Sequence, residues 1–405
     1  MHMFRTYLDW ASAAPVSTSA WRAFVKTSKL YGNPSSPHKE GDGAHIALEK
    51  ARTIIARIAG VKSDGVIFTS GATEANAIAI QGHVKALLAA GRDLGSLHLL
   101  YLPTAHASVV ETMEDLRAAG AQVESLALID SGAGVTVDLT QLQKQLRPET
   151  VLVSMDTVCG ETGTKYHTRD VRRVIMSAQK AGLFKGNEHN RPLLHVDASQ
   201  APFTESIECN HLGADLLTLD AQKIGGVRGI GALIRTNPLV ALFPLMHGGG
   251  QEQGIRPGTE SSALAASFAV ALTEAQAGKE EFNARAAGAR STLLSSLKTT
   301  CPDLIENVGR EHVSHILNIS LPHRDTDYLV MLLSQARFSV STKSACETDA
   351  TGSRVVLTMT HDSVAALSTL RISWGPTTKA RHLKQFAKAL TQEVRFLDER
   401  CSTSL

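Results

Sequence analysis

Two oppositely charged residues, each just after a predicted buried strand, indicate Schiff-base chemistry. Lys223 follows the apolar run 216–219, and Asp197 follows the apolar run 193–196. A poorly solvated lysine amine has a lowered pKa and suits Schiff-base formation, while a buried carboxylate needs a partner such as a cationic ring nitrogen. Each residue also has an ordinary interpretation, a solvated lysine head or an aspartate that caps a helix or forms a turn. Only their combination is suggestive.

A turn of small residues, Ser70-Gly71-Ala72-Thr73, separates a predicted strand from a predicted helix. Small residues let backbone N–H groups approach an anion, and the start of a helix adds partial positive charge. The turn therefore suits a phosphate at Gly71 to Thr73, or it is a simple strand–helix turn with Thr73 near the cap. Because Walker-type and Gly-x-Gly-x-x-Gly patterns are absent from the sequence, nucleotide-binding folds lose support.

Three further residues have one catalytic and one ordinary interpretation. His106 follows a third strand and either stacks on a planar cofactor or is a polar loop residue. Arg371 either pairs with a structural acid or clamps a carboxylate substrate through its forked donors. Cys346 lies in a polar segment, where the nearby cation Lys343 favours the thiolate and the adjacent Glu347 opposes it. Without further context Cys346 is interpreted as an inert surface thiol.

The composition is that of a folded protein without a strong charge bias. The 405 residues include 41 Lys and Arg against 39 Asp and Glu, a formal net charge of +2, and 43% are apolar. These values exclude the basic footprint of a nucleic-acid binder and wholesale disorder. The five cysteines form no Cys-x-x-Cys pair, which argues against a zinc ribbon, a ferredoxin-type cluster or a secreted disulfide scaffold. We expect a soluble, cytoplasmic protein without secretory signal or membrane span.

The elements that must position these residues alternate between short apolar runs and helical segments, which predicts an α/β fold with a mostly parallel central sheet flanked by helices. Parallel strands gather their ligands at their carboxyl ends. The run 231–235 is predicted to pair as a hairpin-like edge. The other predicted elements are strands at 66–68, 97–102, 151–154, 193–196 and 216–219 and helices at 74–90 and 109–119.

The character of the chain changes near residue 261, which predicts a second, smaller α+β domain. The large domain is expected to span 15–260, and the small domain 1–14 and 261–405, with a surface loop at 343–354 that carries Cys346. Glycine-rich sequence at 247–259 crosses between them, as a flexible connection or as a contact for a ligand or a neighbouring subunit. The predicted elements of this part are helices at 261–277, up to 297, and at 380–397, and strands at 316–321 and 370–373.

Several stretches, in the same order along the chain, resemble the cysteine desulfurases of iron–sulfur-cluster assembly. These are pyridoxal-phosphate enzymes of the class V aminotransferase group, with fold type I. The likeness runs from about residue 6 to 378, and the long segment around Cys346 resembles the iron–sulfur-assembly branch. The stretches are Tyr7-Leu8-Asp9, Gly32 to His38, Phe68 to Asn76, His195 to Gln200, Gly248 to Glu252, Arg256 to Thr259, Ser344-Ala345-Cys346 and the segment of Arg371.

The resemblance implies a pyridoxal 5'-phosphate-dependent conversion of L-cysteine to L-alanine. Sulfur would pass to Cys346 as a persulfide and then to an acceptor protein, an iron–sulfur scaffold or a tRNA-thiolation relay. The enzyme would be a homodimer with shared sites. Neither a membrane nor direct contact with nucleic acid is expected. Whether Cys346 also ligates a cluster is left open, and no other metal ligand is predicted.

Roles also follow from the resemblance, residue by residue. Lys223 would form the Schiff base, Asp197 would keep the pyridine nitrogen protonated, and His106 would stack on the ring. Cys346 would attack the substrate sulfur. Ala72, Thr73 and Gln222 would bind the phosphate, together with Thr259 from the partner subunit. Gln200 would form a bond to the phenolic oxygen. Arg371 and Asn33 would bind the substrate.

Two positions depart from the family pattern. Gly160 stands where the family has an asparagine beside the phenolic oxygen, and Asp220 begins the stretch that reads Ser-x-His-Lys in the family. Like unit charges about 4 Å apart repel by about 4 kcal/mol at an effective dielectric constant of roughly 20. Asp220 therefore points away, is protonated or paired, or belongs to a rebuilt phosphate pocket. Alternative functions are another class V reaction, a transaminase or selenocysteine lyase, and a catalytically weakened binding partner.

Overall fold

The computed structural model describes residues 5–130, 132, 134–184, 191–342 and 352–402. Its centre is a seven-stranded, mostly parallel sheet. In chain order the strands are β1 (Thr6–Tyr7), β2 (Val66–Thr69), β3 (His98–Tyr101), β4 (Gln122–Ser125), β5 (Leu128–Asp130), β6 (Val135–Val137), β7 (Thr150–Asp156), β8 (Leu193–Asp197), β9 (Leu216–Asp220), β10 (Gly231–Arg235), β11 (Ile305–Glu306), β12 (Ile316–Ser320), β13 (Phe338–Ser339) and β14 (Thr369–Ser373).

The helices surround this sheet and build most of the C-terminal part. A five-residue π-helical segment, Ile78–Gly82, joins two of them. The helices are α1 (Thr18–Thr27), α2 (Lys39–Ala59), α3 (Ala72–Ala77), α4 (His83–Ala89), α5 (Ala107–Ala118), α6 (Leu139–Gln145), α7 (Thr168–Lys180), α8 (Cys209–Leu212), α9 (Ser262–Ala277), α10 (Lys279–Thr300), α11 (Thr326–Gln335), α12 (Arg354–Thr360), α13 (Ser363–Leu367) and α14 (Ala380–Ser402). None of the helices in the described part of the chain combines the length and apolar character that a membrane-spanning segment requires.

The central sheet has the strand order β2-β10-β9-β8-β7-β3-β4. Strands β7, β9 and β10 are buried at every position, as expected when helices cover both faces of a parallel sheet. The prediction of a hairpin-like edge at 231–235 is half wrong. β10 does pair antiparallel with β9, but it also pairs antiparallel with β2, so it lies inside the sheet. An apolar strand such as β10 gains more from pairing on both sides than from an exposed edge.

Helix starts agree with the predictions within a few residues, and side-chain caps mark the starts of α5, α9 and α12. The helix predicted from residue 109 begins at Ala107, because the side chain of His106 accepts a hydrogen bond from the Ser108 backbone. Ser261 caps α9 in the same way. The prediction of a loop at 343–354 is wrong at its last residue, because Arg354 is the first residue of α12 and Ser353 caps this helix.

The C-terminal part forms an antiparallel sheet of its own, in the order β11-β12-β14. The N-terminal strand β1 joins this part of the molecule through parallel pairing with β13. Helices α9 and α10, separated by Gly278 alone, connect it to the central sheet. The domain bounds at 14 and 260 stay a prediction.

Candidate active site

A cavity of about 190 Å³ opens where three neighbouring parallel strands end. β7, β8 and β9 each end on an aspartate, Asp156, Asp197 and Asp220 respectively. Parallel strands place their carboxyl ends at one edge of the sheet, so the three carboxyl groups gather beside the cavity. The cavity is lined by eight of the residues predicted from the sequence, which are Ala72, Thr73, His106, Asp197, Gln200, Gln222, Lys223 and Arg371.

The Lys223 amine faces this cavity and is not a solvated surface head. A short 3₁₀ turn after β9 carries the residue. Its Nζ donates hydrogen bonds to the carbonyl oxygens of Ala11, at 2.9 Å, and Ser12, at 2.8 Å. Both acceptors belong to the N-terminal segment, which packs across the end of the sheet. Lys223 is thus half-buried and oriented by backbone groups.

Asp197 is buried and held by donors from two elements. Its Oδ1 accepts hydrogen bonds from the backbone N–H of Ser199, at 2.9 Å, and from the Ser199 hydroxyl, at 2.6 Å. Its Oδ2 accepts a 2.8 Å hydrogen bond from Asn76 Nδ2 on α3. The turn-forming interpretation of Asp197 is therefore correct, and the residue also lines the cavity. Sequence reasoning assigned no role to Asn76, although this residue ends the family-like stretch Phe68 to Asn76.

His106 is linked to Asp197 through a short polar chain. The Ser108 backbone N–H donates to His106 Nδ1 at 3.1 Å, so this nitrogen is the acceptor and the ring proton sits on Nε2. Asn76 Nδ2 in turn donates to the Ser108 hydroxyl at 2.9 Å. Burial lowers the pKa of His106 below its usual value, against the opposing effect of Asp197. His106 is therefore neutral at pH 7.

Asp156 is a second carboxyl group beside Asp197, and sequence reasoning missed it. The two residues are paired across β7 and β8. Asp156 is 5% exposed, and its Oδ1 has no hydrogen-bond partner among the described residues. Burial raises its pKa well above the usual range, and the charge of Asp197 raises it further. The signal was present, because Asp156 ends an apolar run as Asp197 does.

Replacing Asp156 with asparagine should change the pH dependence of stability. Because burial raises the pKa of Asp156 in the folded protein, the stability that this group contributes is present below its unfolded pKa of 3.8 and is lost as pH rises toward the raised folded value. We expect Asp156→Asn to gain stability relative to wild type between pH 5 and pH 8. Between pH 5 and pH 8, each unit by which the folded pKa of Asp156 exceeds its unfolded pKa adds about 1.4 kcal/mol to this gain in stability.

Urea unfolding at both pH values measures this gain, and Asp93→Asn is the control because Asp93 is exposed. An equal stability difference between the Asp156 variant and wild type at pH 5 and pH 8 would show that the buried carboxyl group is ionised.

Arg371 lines the cavity and also has a structural partner. Its Nη2 donates to Asp9 Oδ1 at 2.9 Å, and its Nη1 donates to the Gly160 carbonyl at 2.9 Å. Nε is buried without a hydrogen-bond partner among the described residues. The pairing of Arg371 with a structural acid is therefore confirmed, and its role as a clamp for a substrate carboxylate stays a prediction.

The glycine at position 160 has a steric reason. A Cβ atom there would lie 3.0 Å from Gln200 Nε2 and 3.3 Å from Gln200 Cγ. The Gln200 side chain thus lies in the space that a side chain at 160 would need, and it donates to the Ala11 carbonyl at 2.9 Å. The family's asparagine does not fit here without movement of Gln200.

Asp220 points into the turn that was predicted to hold a phosphate. Its Oδ2 accepts a hydrogen bond from the Ala72 backbone N–H at 3.2 Å, and its Oδ1 accepts from the Gln222 backbone N–H at 3.0 Å. Gln222 Nε2 adds a third hydrogen bond at 3.3 Å. Of the arrangements left open by the sequence, the structure shows a carboxyl group paired with amide donors.

Two predicted site residues that the structure describes, Asn33 and Thr259, are not among the residues that line this cavity. Asn33 is exposed, and its Oδ1 accepts the Ser35 backbone N–H at 2.9 Å. Thr259 lines a separate cavity of about 170 Å³. Cys346 lies outside the described residues. A further cavity residue that the sequence did not signal is Arg354, whose Nη2 donates to the Ala105 carbonyl at 2.8 Å.

Comparison with known proteins places the chain in a family. The model of the class V aminotransferase family matches residues 6–386. A mitosomal cysteine desulfurase of Encephalitozoon cuniculi is 31% identical over 399 residues, which cover 98% of this chain and 88% of the relative. The cysteine desulfurase IscS of Tolumonas auensis is 31% identical over 385 residues, which cover 93% of this chain and 89% of the relative.

Solved structures agree with these relatives. A NifS-like protein superposes with a TM-score of 0.86 at 28% identity, covering 97% of this chain and 100% of the other. DndA from Streptomyces lividans superposes with a TM-score of 0.71 at 30% identity, covering 89% of this chain and 97% of the other. The predicted α/β fold and the resemblance are confirmed. The chain therefore belongs to the class V aminotransferase family, within its cysteine desulfurase branch.

Proposed function

We propose that the protein is a pyridoxal 5'-phosphate-dependent desulfurase that converts L-cysteine to L-alanine and carries the sulfur on Cys346. The observation that carries this proposal is the cavity in which the Lys223 amine and the Asp197 carboxylate meet beside Arg371. An amine, an acid and a forked cation are what a site for a pyridine aldehyde and an amino acid needs. The names of the relatives support the choice of cysteine as substrate.

The chemistry of the cavity fits the ring end of the cofactor. Lys223 would hold its aldehyde carbon, Asp197 its ring nitrogen, and His106 one face of its ring, because all three line the same cavity. When bound, the cofactor supplies an electron sink for the bonds of the substrate's Cα. At the other end, Ala72 and Gln222 carry amide donors that suit a phosphate and that Asp220 now engages.

The chain's own residues orient the substrate and move its protons. Arg371 lines the cavity and would bind the substrate carboxylate there, while Asp9 and Gly160 accept hydrogen bonds from two nitrogens of its guanidinium group. Lys223 Nζ takes and returns the proton at the substrate Cα, as a general base. The three hydrogen bonds on Asp197 keep its carboxylate aligned with the ring nitrogen.

Sulfur transfer requires a thiolate, and we assign this role to Cys346. Its Sγ forms a bond to the substrate sulfur while the substrate Cβ–S bond breaks and its electron pair goes to carbon. The carbon takes a proton, so that cysteine and the Cys346 thiol become alanine and a Cys346 persulfide. Cys159, Cys209 and Cys301 are free and buried, and burial raises the pKa of each thiol. They are therefore poor nucleophiles.

A homodimer and a sulfur acceptor complete the proposal. Thr259 is exposed and outside the cavity of its own chain, which suits a role in the partner subunit's site. Large apolar side chains are exposed on the segment that precedes and includes α2, with Trp21 at 52%, Tyr31 at 83% and Ile46 at 59%, as at an interface between subunits. The acceptor would be an iron–sulfur scaffold or a tRNA-thiolation relay, and the free cysteines support a cytoplasmic, reducing location.

The test compares Cys346→Ala with Cys301→Ala, which removes a buried thiol outside the cavity. With L-cysteine, wild type and the control should form alanine and a protein persulfide in equal amounts. Cys346→Ala should form neither in repeated turnovers while it keeps the visible absorption band of the bound cofactor. Turnover by Cys346→Ala at the wild-type rate would favour a transaminase or a selenocysteine lyase, which need no protein thiol.

A catalytically weakened binding partner is the second candidate, and the observation that favours it is Asp220 on the phosphate donors. It predicts a folded protein that retains no cofactor after purification and produces no alanine.

A further inference from the structure

The phosphate end of the cavity already holds a carboxyl group. Asp220 is 5% exposed and accepts hydrogen bonds from the backbone of Ala72 and from the backbone and side chain of Gln222. These are the groups to which the family resemblance gives the cofactor phosphate. The carboxyl group and a phosphate would therefore compete for the same amide donors.

The backbone around Asp220 leaves little room to separate two anions. β10 approaches the turn before α3 so closely that a Cβ on Gly231 would lie 2.7 Å from the Gly71 carbonyl carbon. Gly231 is paired with Asp220 in the sheet, so strand, turn and carboxyl group form one packed unit. A Cβ on Gly71 would lie 3.5 Å from Asp220 Oδ2. Asp220 thus faces the start of α3 directly.

Arg256, beside the start of α3, is not available to offset a second anion. Glu74, on the first turn of α3, accepts a hydrogen bond from the Ser70 backbone and is paired with Arg256 at 3.1 Å. That guanidinium group already has its own carboxylate partner. A helix start supplies about half a positive charge, which is less than Asp220 and a phosphate dianion together carry.

We propose that Asp220 is a specificity-determining residue that competes with the cofactor phosphate. This inference rests on the proposed function. Asp220 lowers the affinity for pyridoxal 5'-phosphate and leaves the affinity for unphosphorylated pyridoxal unchanged. The chain consequently distinguishes the two forms of the cofactor less than a chain without this charge does.

Equilibrium binding tests the proposal without any measurement of turnover. Pyridoxal 5'-phosphate and pyridoxal are titrated separately into cofactor-free protein, and the visible absorption band reports binding. Asp220→Asn removes the charge and keeps the shape, Asp220→Ser restores the residue of the family pattern, and Glu111→Gln removes an exposed acid of α5 as control. We expect both Asp220 variants to bind the phosphorylated form at least about tenfold more tightly, or about 1.4 kcal/mol. Affinity for pyridoxal should change less than about threefold, which is about 0.65 kcal/mol.

The outcomes separate this inference from the proposed function. A gain for the phosphorylated form alone supports both. No gain in affinity, or an equal gain for both forms, would overturn the proposed competition. The proposed function would still stand in that case as long as the cofactor binds covalently. Absence of a visible band with either form in every folded variant overturns both. If neither variant folds, the wild type still decides, because a preference for the phosphorylated form above about a thousandfold would contradict a competing carboxylate.

Discussion

Lys223→Ala should lose the visible absorption band and reduce alanine formation from cysteine by at least about 10³-fold. Lys223 carries the only amine among the described residues that line the cavity, and no neighbour there can replace its covalent role. The lost hydrogen bonds to the Ala11 and Ser12 carbonyls affect stability by about 1–3 kcal/mol. Absorption spectra and alanine quantification measure the two losses.

Two variants distinguish the covalent role of Lys223 from the role of its charge. Lys223→Arg keeps a cation and donors for the same carbonyls, but it offers no amine for Schiff-base formation, so its activity should fall as far. Lys165→Ala removes a lysine whose amine is paired with Glu205 at 3.0 Å away from this cavity, and it should retain the band and turnover. A wild-type band in Lys223→Ala would exclude this residue as the attachment point.

The second prediction with a large expected effect concerns the stability of the protein and a residue of the glycine-rich crossing at 247–259. Glu252→Ala should lower the free energy of unfolding by about 3–5 kcal/mol. Glu252 accepts two hydrogen bonds from Arg52, at 2.7 and 2.8 Å, and one from the Phe68 backbone at 2.8 Å. Both charged residues are less than a tenth exposed. Removal of this carboxylate leaves the buried Arg52 charge with Glu49 as its remaining acidic partner, at 2.9 Å and 41% exposed, and urea unfolding measures the loss.

Two further variants decide whether the buried pair causes this loss. Arg52→Met combined with Glu252→Met removes both charges, so it should be clearly more stable than Glu252→Ala. Glu281→Ala breaks an exposed pair with Arg285 and should change stability by less than about 1 kcal/mol. If Glu252→Ala were as mild as Glu281→Ala, the crossing would be the flexible connection that its glycines suggest.

The positions of Lys223 and Asp197 were predictable because each comes soon after a short apolar run. Such a run forms a buried strand, and polar residues directly after buried strands lie at the ligand-binding edge of a parallel sheet. Asp156 follows the same rule, because it also ends a buried strand. Arg354 was not predictable, because it contacts backbone carbonyls of Pro103 and Ala105, which carry no sequence signal.

Gly160 and Gly231 also depend on residues that are distant along the chain, which the sequence around them does not reveal. The sequence identifies Gly160 as a departure from the family pattern, but it does not say why a side chain is absent. The cause is Gln200, 40 residues away along the chain and 3.0 Å away in space from the missing Cβ. Gly231 likewise gives no signal, although the turn at Gly71 packs against it.

The amino-acid sequence by itself determined the fold class, the order of the elements and the family, because apolar periodicity and short stretches of residues are local properties. Tertiary structure alone decided that β10 lies inside the sheet, that Asp156 shares an edge with Asp197, and that Asp220 faces the amides of α3. These facts depend on strand pairing and on close approach between distant segments. Their energies come from burial and from contacts that no short stretch of sequence contains.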